Sequence, residues 1–253
     1  MDNADKVLPL MKVLKHSESG EICRLPMPCT QEIFDSSMRF KAKKDDVFVC
    51  SWPKSGTTWL QHIVWLITHY GEDYFEDKAQ SECIPMLEFQ GEHADTIDTR
   101  GYQRVIKTHF PYKWVPFNSE ALYLCVARDP KDALVSLYYH MKGFGFYQAS
   151  DLDISTLYDM FMKGEVEFND YYEHVAEWYK HRNDSNVLFL LYEDMKENLE
   201  REVVKVAKFL GRDYLERLQA EDGVLLKDIV RRTTFKTMST DPTTKWVFLN
   251  AFY

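Results

Sequence analysis

Between Val47 and Trp59 the chain passes from a short apolar run, Val47-Phe48-Val49-Cys50, through Ser51-Trp52-Pro53-Lys54-Ser55-Gly56 into Thr57-Thr58-Trp59. Beyond it Trp59, Ile63, Leu66, Ile67 and Tyr70 recur at helical spacing, and Gly71 marks the end. A buried strand therefore enters a helix across one short glycine turn. Such a turn aims several backbone N–H groups at one point, where the helix dipole favours an anion. Lys54 adds a positive charge, and Ser55, Thr57 and Thr58 add hydroxyl donors. The segment reads as a phosphate cradle for a nucleotide or similar polyanion, although Lys-Ser-Gly-Thr-Thr alone is also an ordinary helix N-cap. It is not a complete Walker A loop, because it has one glycine and its lysine precedes that glycine.

The same alternation recurs downstream. Arg104 to Thr108 and Ala121 to Ala127 read as strands, the second leading through Arg128-Asp129-Pro130 into a helix from about Lys131. Glu165 to Lys180 reads as a helix, Val187 to Tyr192 as a buried strand, and Asn198 to Leu210 as a helix stopped by Gly211. Residues 1 to about 40 lack strong periodicity and are broken by Pro9, Pro26 and Pro28; this predicts an irregular arm over 1–30 and a short helix near Gln31 to Phe40. Strands alternating with helices predict an α/β fold, one domain over 1–253 with a central parallel sheet flanked by helices on both faces. Ligands of such sheets collect at the carboxyl ends of the strands, and Lys54, Lys107-Thr108-His109, Arg128 and Tyr192 all fall there.

Composition narrows the partners. The 253 residues are 45% apolar, enough for a sizeable core, and no linker or internal repeat divides them. A formal net charge of −9 without a basic block argues against general nucleic-acid binding; the acidic stretches Glu72 to Asp98 and Asp151 to Glu177 read as solvated surface. The five cysteines lack metal-ligand spacing, no signal-peptide pattern or 18-residue apolar span occurs, and the expected compartment is a reducing cytoplasm with no membrane attachment.

Two further segments carry candidate chemistry. Arg128 at a strand end and Ser136 two helical turns on are placed to share one phosphate, unless Arg128 pairs with a carboxylate and Ser136 only packs. His109, two residues after Lys107, suits a general base beside an electrophile-stabilising cation, although a lone histidine is more often structural.

Pro53-Lys54-Ser55-Gly56-Thr57-Thr58-Trp59, Lys107-Thr108-His109-Phe110-Pro111, Arg128-Asp129-Pro130-Lys131-Asp132 with Ser136, and Leu191-Tyr192-Glu193-Asp194-Met195 stand in the order and at the separations of the cytosolic sulfotransferases, and the chain resembles that family over roughly residues 30 to 244. The resemblance implies 3′-phosphoadenosine 5′-phosphosulfate (PAPS) as sulfuryl donor and PAP as product, with no metal. It implies that Lys54 to Trp59 hold the phosphosulfate with Trp59 beside the adenine. It further implies that Arg128 and Ser136 bind the 3′-phosphate, and that Tyr192 and the Thr233 to Met238 segment, with Thr233, Phe235 and Met238, meet the adenine. His109 would take the proton from an acceptor hydroxyl or amine, Lys54 would neutralise the leaving oxygen, and Lys107 would stabilise the transferring group. Met86, His140, Met141, Phe144 and Phe146 fall in the family's acceptor loops and suit a small phenol or phenolic amine, or equally an ordinary core.

The chain departs from the family after Asp241-Pro242. It lacks the basic Arg-Lys-Gly segment and the C-terminal dimerisation motif, and it reads Trp246 to Tyr253 instead. A homodimer would need another surface. Two lost phosphate contacts would weaken the donor by roughly 1.5–3 kcal/mol each, unless Arg231 or Arg232 substitutes. The apolar final octet is expected to pack on the body or on a partner. Three readings follow: an active sulfotransferase, a catalytically weak PAP-binding chain acting through ligand or partner binding, and an ATP-using kinase, which the incomplete Walker loop fits poorly.

Overall fold

In a computed structural model that describes residues 8–75, 78 and 80–240, a four-stranded parallel sheet forms the centre of the molecule. The strands are a hairpin pair, β1 (Met11–Lys15) and β2 (Ile22–Pro26), and the sheet strands β3 (Val47–Cys50), β4 (Val105–Thr108), β5 (Leu122–Ala127) and β6 (Val187–Leu191). The helices of the first half are α1 (Gln31–Arg39), α2 (Thr57–Thr68), the single turns α3 (Gln80–Cys83) and α4 (Leu87–Gln90), and α5 (Pro130–Gly143). The second half adds α6 (Ile154–Met162), α7 (Tyr171–Lys180), α8 (Tyr192–Glu197), α9 (Leu199–Leu210), α10 (Arg212–Arg232) and α11 (Phe235–Thr240). α10 is broken at Ala220–Gly223, where the backbone leaves helical geometry.

The sheet order is β4-β3-β5-β6. All four residues of β3 are buried, as expected of a central parallel strand covered on both faces. Alternate side chains divide between two cores. Phe48, Cys50, Ile106, Tyr123 and Cys125 pack with residues of α1, α5, α6 and α7. Val47, Val49, Val105, Leu124 and Val126 pack with residues of α2, α9 and α10. Because β3 lies between β4 and β5, the chain leaves β3 toward one side and returns on the other. That reversal opens a crevice between β3 and β5 at their carboxyl ends. Cys50 is in register with both Thr108 and Cys125, so the segments after β3 and β4 emerge side by side.

Two local expectations are corrected. The arm predicted as irregular over 1–30 contains the antiparallel pair β1–β2, with Leu14, Cys23 and Leu25 buried and Val13 and Ile22 exposed. The helix predicted from Glu165 begins at Tyr171, because Phe168 and Asn169 adopt left-handed φ of 61° and 59°. Both departures share a cause. The Phe168 N–H donates to the Arg24 carbonyl (2.7 Å), and the Arg24 N–H donates to Asn169 Oδ1 (3.0 Å), so hairpin and turn hold each other. Asp170 then caps α7 by accepting from the Glu173 N–H (2.8 Å). The expected packing of Trp246 to Tyr253 lies outside the described residues.

Candidate functional site

The loop after β3 is shaped by two left-handed residues, Lys54 (φ 65°) and Gly56 (φ 104°). Gly56 is required twice over, since a Cβ there would stand 2.8 Å from Cδ2 of Tyr192. The loop delivers the first N–H groups of α2 to the crevice with no side chain capping them, because the residue at the N-cap is glycine. The Ser55 hydroxyl is buried without a hydrogen-bond partner. So is Nε of Arg128, whose guanidinium lies over the Tyr192 ring (4.4 Å) and donates to the Lys54 carbonyl (3.2 Å). Orphaned donors around a cradle that a Cβ would fill fit a polyanion rather than a closed structural turn.

β5 and α5 position Arg128. Asp129 caps α5 by accepting from the N–H groups of Lys131 (2.8 Å) and Asp132 (3.3 Å), with Pro130 in the first turn. Tyr171 donates its hydroxyl to the Arg128 carbonyl. Tyr192, at the end of β6, meets Trp59 edge-on (5.4 Å), and Trp59 Nε1 donates to the Thr233 carbonyl (2.7 Å).

β4 carries the opposite wall. His109 is 7% exposed, and its Nδ1 donates to the Ser51 carbonyl (2.8 Å). A carbonyl only accepts, so Nδ1 carries the proton and Nε2 is the nitrogen able to receive one. Burial holds the imidazole well below its ordinary value, helped by the nearby Lys107, so it is neutral. Its backbone is fixed by Glu88, which accepts from the His109 N–H and from the Thr108 hydroxyl (2.7 Å), and by His174, whose Nε2 donates to the His109 carbonyl (3.2 Å). Burial brings Lys54 down to about 7, against the opposing pull of Glu167, and brings Lys107 down to about 8, against Glu88 and Glu167.

One cavity of about 480 Å³ joins these walls. Lys54, Gly56, Thr57, Thr58, Trp59, Lys107, His109, Arg128, Ser136 and Tyr192 line it, and so do the acceptor-loop candidates Met86, His140, Phe144 and Phe146. Met141 is instead buried in the core. Thr233 reaches the site only through its carbonyl, because its buried hydroxyl donates to the Ile229 carbonyl (2.7 Å). Phe235 is 81% exposed, and neither it nor Met238 lines the cavity. Arg231 and Arg232 do not line it either. They are drawn to Asp228, and Arg232 also to Asp73 and the Gly71 carbonyl.

The structure adds wall residues that sequence reading missed, chiefly Glu167, Phe168, Tyr147 and Phe89. Reading 165–170 as helix hid the first two. The two adjacent left-handed residues leave no periodic signal. Lys54 donates to His140 Nδ1 (3.4 Å), and Tyr147 donates its hydroxyl to Glu167.

A family model for the sulfotransferase domain matches residues 44–250. Among similar curated proteins, Sulfotransferase 1E1 of Rattus norvegicus is 35% identical over 220 residues, covering 83% of this chain and 71% of the rat protein. An amine sulfotransferase of Oryctolagus cuniculus is 34% identical over 207 residues, covering 80% of this chain and 66% of the rabbit protein. Among solved structures, mouse sulfotransferase SULT7A1 complexed with PAP superposes with a TM-score of 0.69 at 26% identity, covering 89% of this chain and 76% of the mouse chain.

Proposed function

Because this chain belongs to the sulfotransferase family, we propose that it transfers a sulfuryl group from PAPS to a hydroxyl or amine of a small acceptor, with His109 as the base. One observation carries the reading: this cavity brings an anion cradle with the half-buried Lys54 together with β4, which carries the half-buried Lys107 and leads into a neutral, proton-accepting histidine. The orphaned Arg128 Nε fits a phosphate group of such a donor and the Trp59–Tyr192 pair fits a purine, whereas Ser55, expected in the cradle, is fully buried and does not line the cavity. When bound, the donor supplies a sulfuryl group on a good phosphate leaving group.

The chain's own residues do the rest. His109 Nε2 receives the acceptor's proton while Nδ1 stays on the Ser51 carbonyl, which holds ring and tautomer in place. Lys54 opposes the charge that grows on the leaving oxygen, and Lys107 holds the sulfuryl oxygens. Burial depresses both lysines toward neutrality, and an anionic donor draws them back to the charged form. Trp59, Tyr192, Phe144 and Phe146 exclude water. Charge compensation by lysines and backbone N–H groups leads us to infer that transfer needs no metal, and turnover unchanged by EDTA is the expected outcome.

The decisive experiment pairs transfer with binding. Labelled PAPS and a panel of phenols and amines should give sulfonated product, and His109→Ala should lose about two to four orders of magnitude in turnover while its PAP affinity changes little. Normal turnover in His109→Ala removes the base assignment. PAP binding without product from any acceptor favours the reading as a weak, ligand-binding chain. No thermal shift with PAP, but one with ATP and Mg²⁺, overturns the sulfotransferase reading.

A further inference from the structure

Among the described residues, Glu167 is the one carboxylate that lines the cavity, and the reaction above gives it no part. It is 2% exposed, yet it lines the cavity. One carboxylate oxygen, Oε2, accepts the Tyr147 hydroxyl. The other, Oε1, lies 4.0 Å from His140 Nε2, too far for a hydrogen bond. The next residue, Phe168, sets its ring against the His109 imidazole (5.0 Å between centroids), so the carboxylate belongs to the wall that holds the base. The surrounding wall is aromatic: His140 packs on Phe144 (4.5 Å) and on Tyr147 (5.7 Å), and Phe146 packs on Tyr147 (4.4 Å).

A carboxylate in such surroundings is costly unless a cation answers it. Lys54 and Lys107 both favour its charged form, while burial pushes the other way and raises it to about 7. In the reading above, both lysines are committed to the anionic donor. With their charge opposed, Glu167 faces the acceptor half of the cavity with only a neutral imidazole and a phenol nearby, since burial holds His140 at about 2. The group that complements a buried carboxylate in an aromatic slot is an ammonium, attracted by the charge and by the ring faces alike.

We propose that Glu167 is a specificity-determining residue that binds a protonated amine of the acceptor, so that the favoured acceptors are arylalkylamines carrying a hydroxyl. The amine stays protonated on Glu167. The hydroxyl oxygen forms the new bond to sulfur, its proton goes to His109 Nε2, and the bond from sulfur to the phosphate oxygen breaks. The assignment rests on the sulfotransferase reading for which end of the cavity takes the acceptor.

Tyramine and 4-ethylphenol are closely matched in size and differ chiefly in the ammonium. Calorimetry on the full chain, with PAP present and absent, measures both affinities in the wild type, in Glu167→Gln and in Glu167→Asp. The expected wild-type preference for tyramine is about ten- to a hundredfold, larger with PAP than without it. Glu167→Gln keeps an oxygen for Tyr147 but should bring the ratio to within about threefold of one, and Glu167→Asp should restore part of it. A wild-type ratio near one overturns the proposal, whether or not the variants fold. A ratio that Glu167→Gln leaves unchanged also overturns it. Sulfonation is scored separately: tyramine selectivity with no product from either phenol overturns the transfer reading and leaves the ammonium site standing.

Discussion

At the scale of single residues, the site depends on backbone shapes that most side chains avoid. Gly56 combines a left-handed φ of 104° with a gap to Tyr192 that leaves no room for a methyl group. Gly56→Ala should therefore cost about 1–3 kcal/mol of stability and weaken PAP binding as the N–H groups of the loop tilt away. Urea midpoints and calorimetry check both, and an alanine variant equal to wild type in both would show that the cradle does not need this geometry. Lys54, Arg128 and His109 were legible in the sequence because each follows a short apolar run that could only be a strand. Glu167 was not legible, since its approach to the cavity depends on the left-handed pair Phe168 and Asn169, which only the contact with Arg24 explains.

Among the elements, α5 joins the cradle to the aromatic wall of the cavity, carrying Ser136 near its middle and His140 in its last turn, with Arg128 just before its cap. Its start is fixed by Asp129, whose carboxylate accepts two N–H groups. Asp129→Ala should destabilise the protein by about 1 kcal/mol and let Arg128 drift, with a several-fold loss of PAP affinity measured at unchanged ionic strength. A loss of stability without a loss of affinity would mean that Tyr171, the Lys54 carbonyl, Asp132 and the Tyr192 ring hold Arg128 without the cap. The elements that sequence reading placed within a few residues, β3 to β6 with α1, α2, α5 and α9, each have their own period or cap. β1–β2 and the turn before α7 were misread because partners more than 100 residues apart stabilise them.

For the molecule as a whole, the buried titratable groups set the acid side of stability. His69 and His174 are held near about 4, His140 near about 2, and His109 well below its ordinary value, in each case chiefly by burial. These four stay neutral when folded and take up protons when unfolded once the pH falls below about 6.5, so they withdraw stability as pH falls. Glu167, raised to about 7, and Glu88, raised to about 6, act oppositely, because the folded state holds their protons first. Four groups against two leave a net uptake of about two protons on unfolding near pH 5, or about 3 kcal/mol per pH unit. Melting temperature should fall steadily from pH 6.5 to 5, and a flat or rising profile would show that the histidines are not held neutral.

By itself the sequence determined the alternation of strands and helices, the parallel sheet, and which candidate residues stand at the strand ends, because strand ends, glycine turns and helix caps are local signals that neighbours in the chain impose. Tertiary structure alone decided which candidates share one cavity. Ten residues expected to hold the donor or act in catalysis converge there with Met86, His140, Phe144 and Phe146, while Thr233 spends its hydroxyl on α10 and Phe235 is exposed to solvent. It also decided that an acidic side chain stands among the aromatic rings of the cavity wall. Convergence of that kind rests on contacts between residues distant in sequence, and no local period encodes where a turn held by a far-off hairpin will aim its side chains.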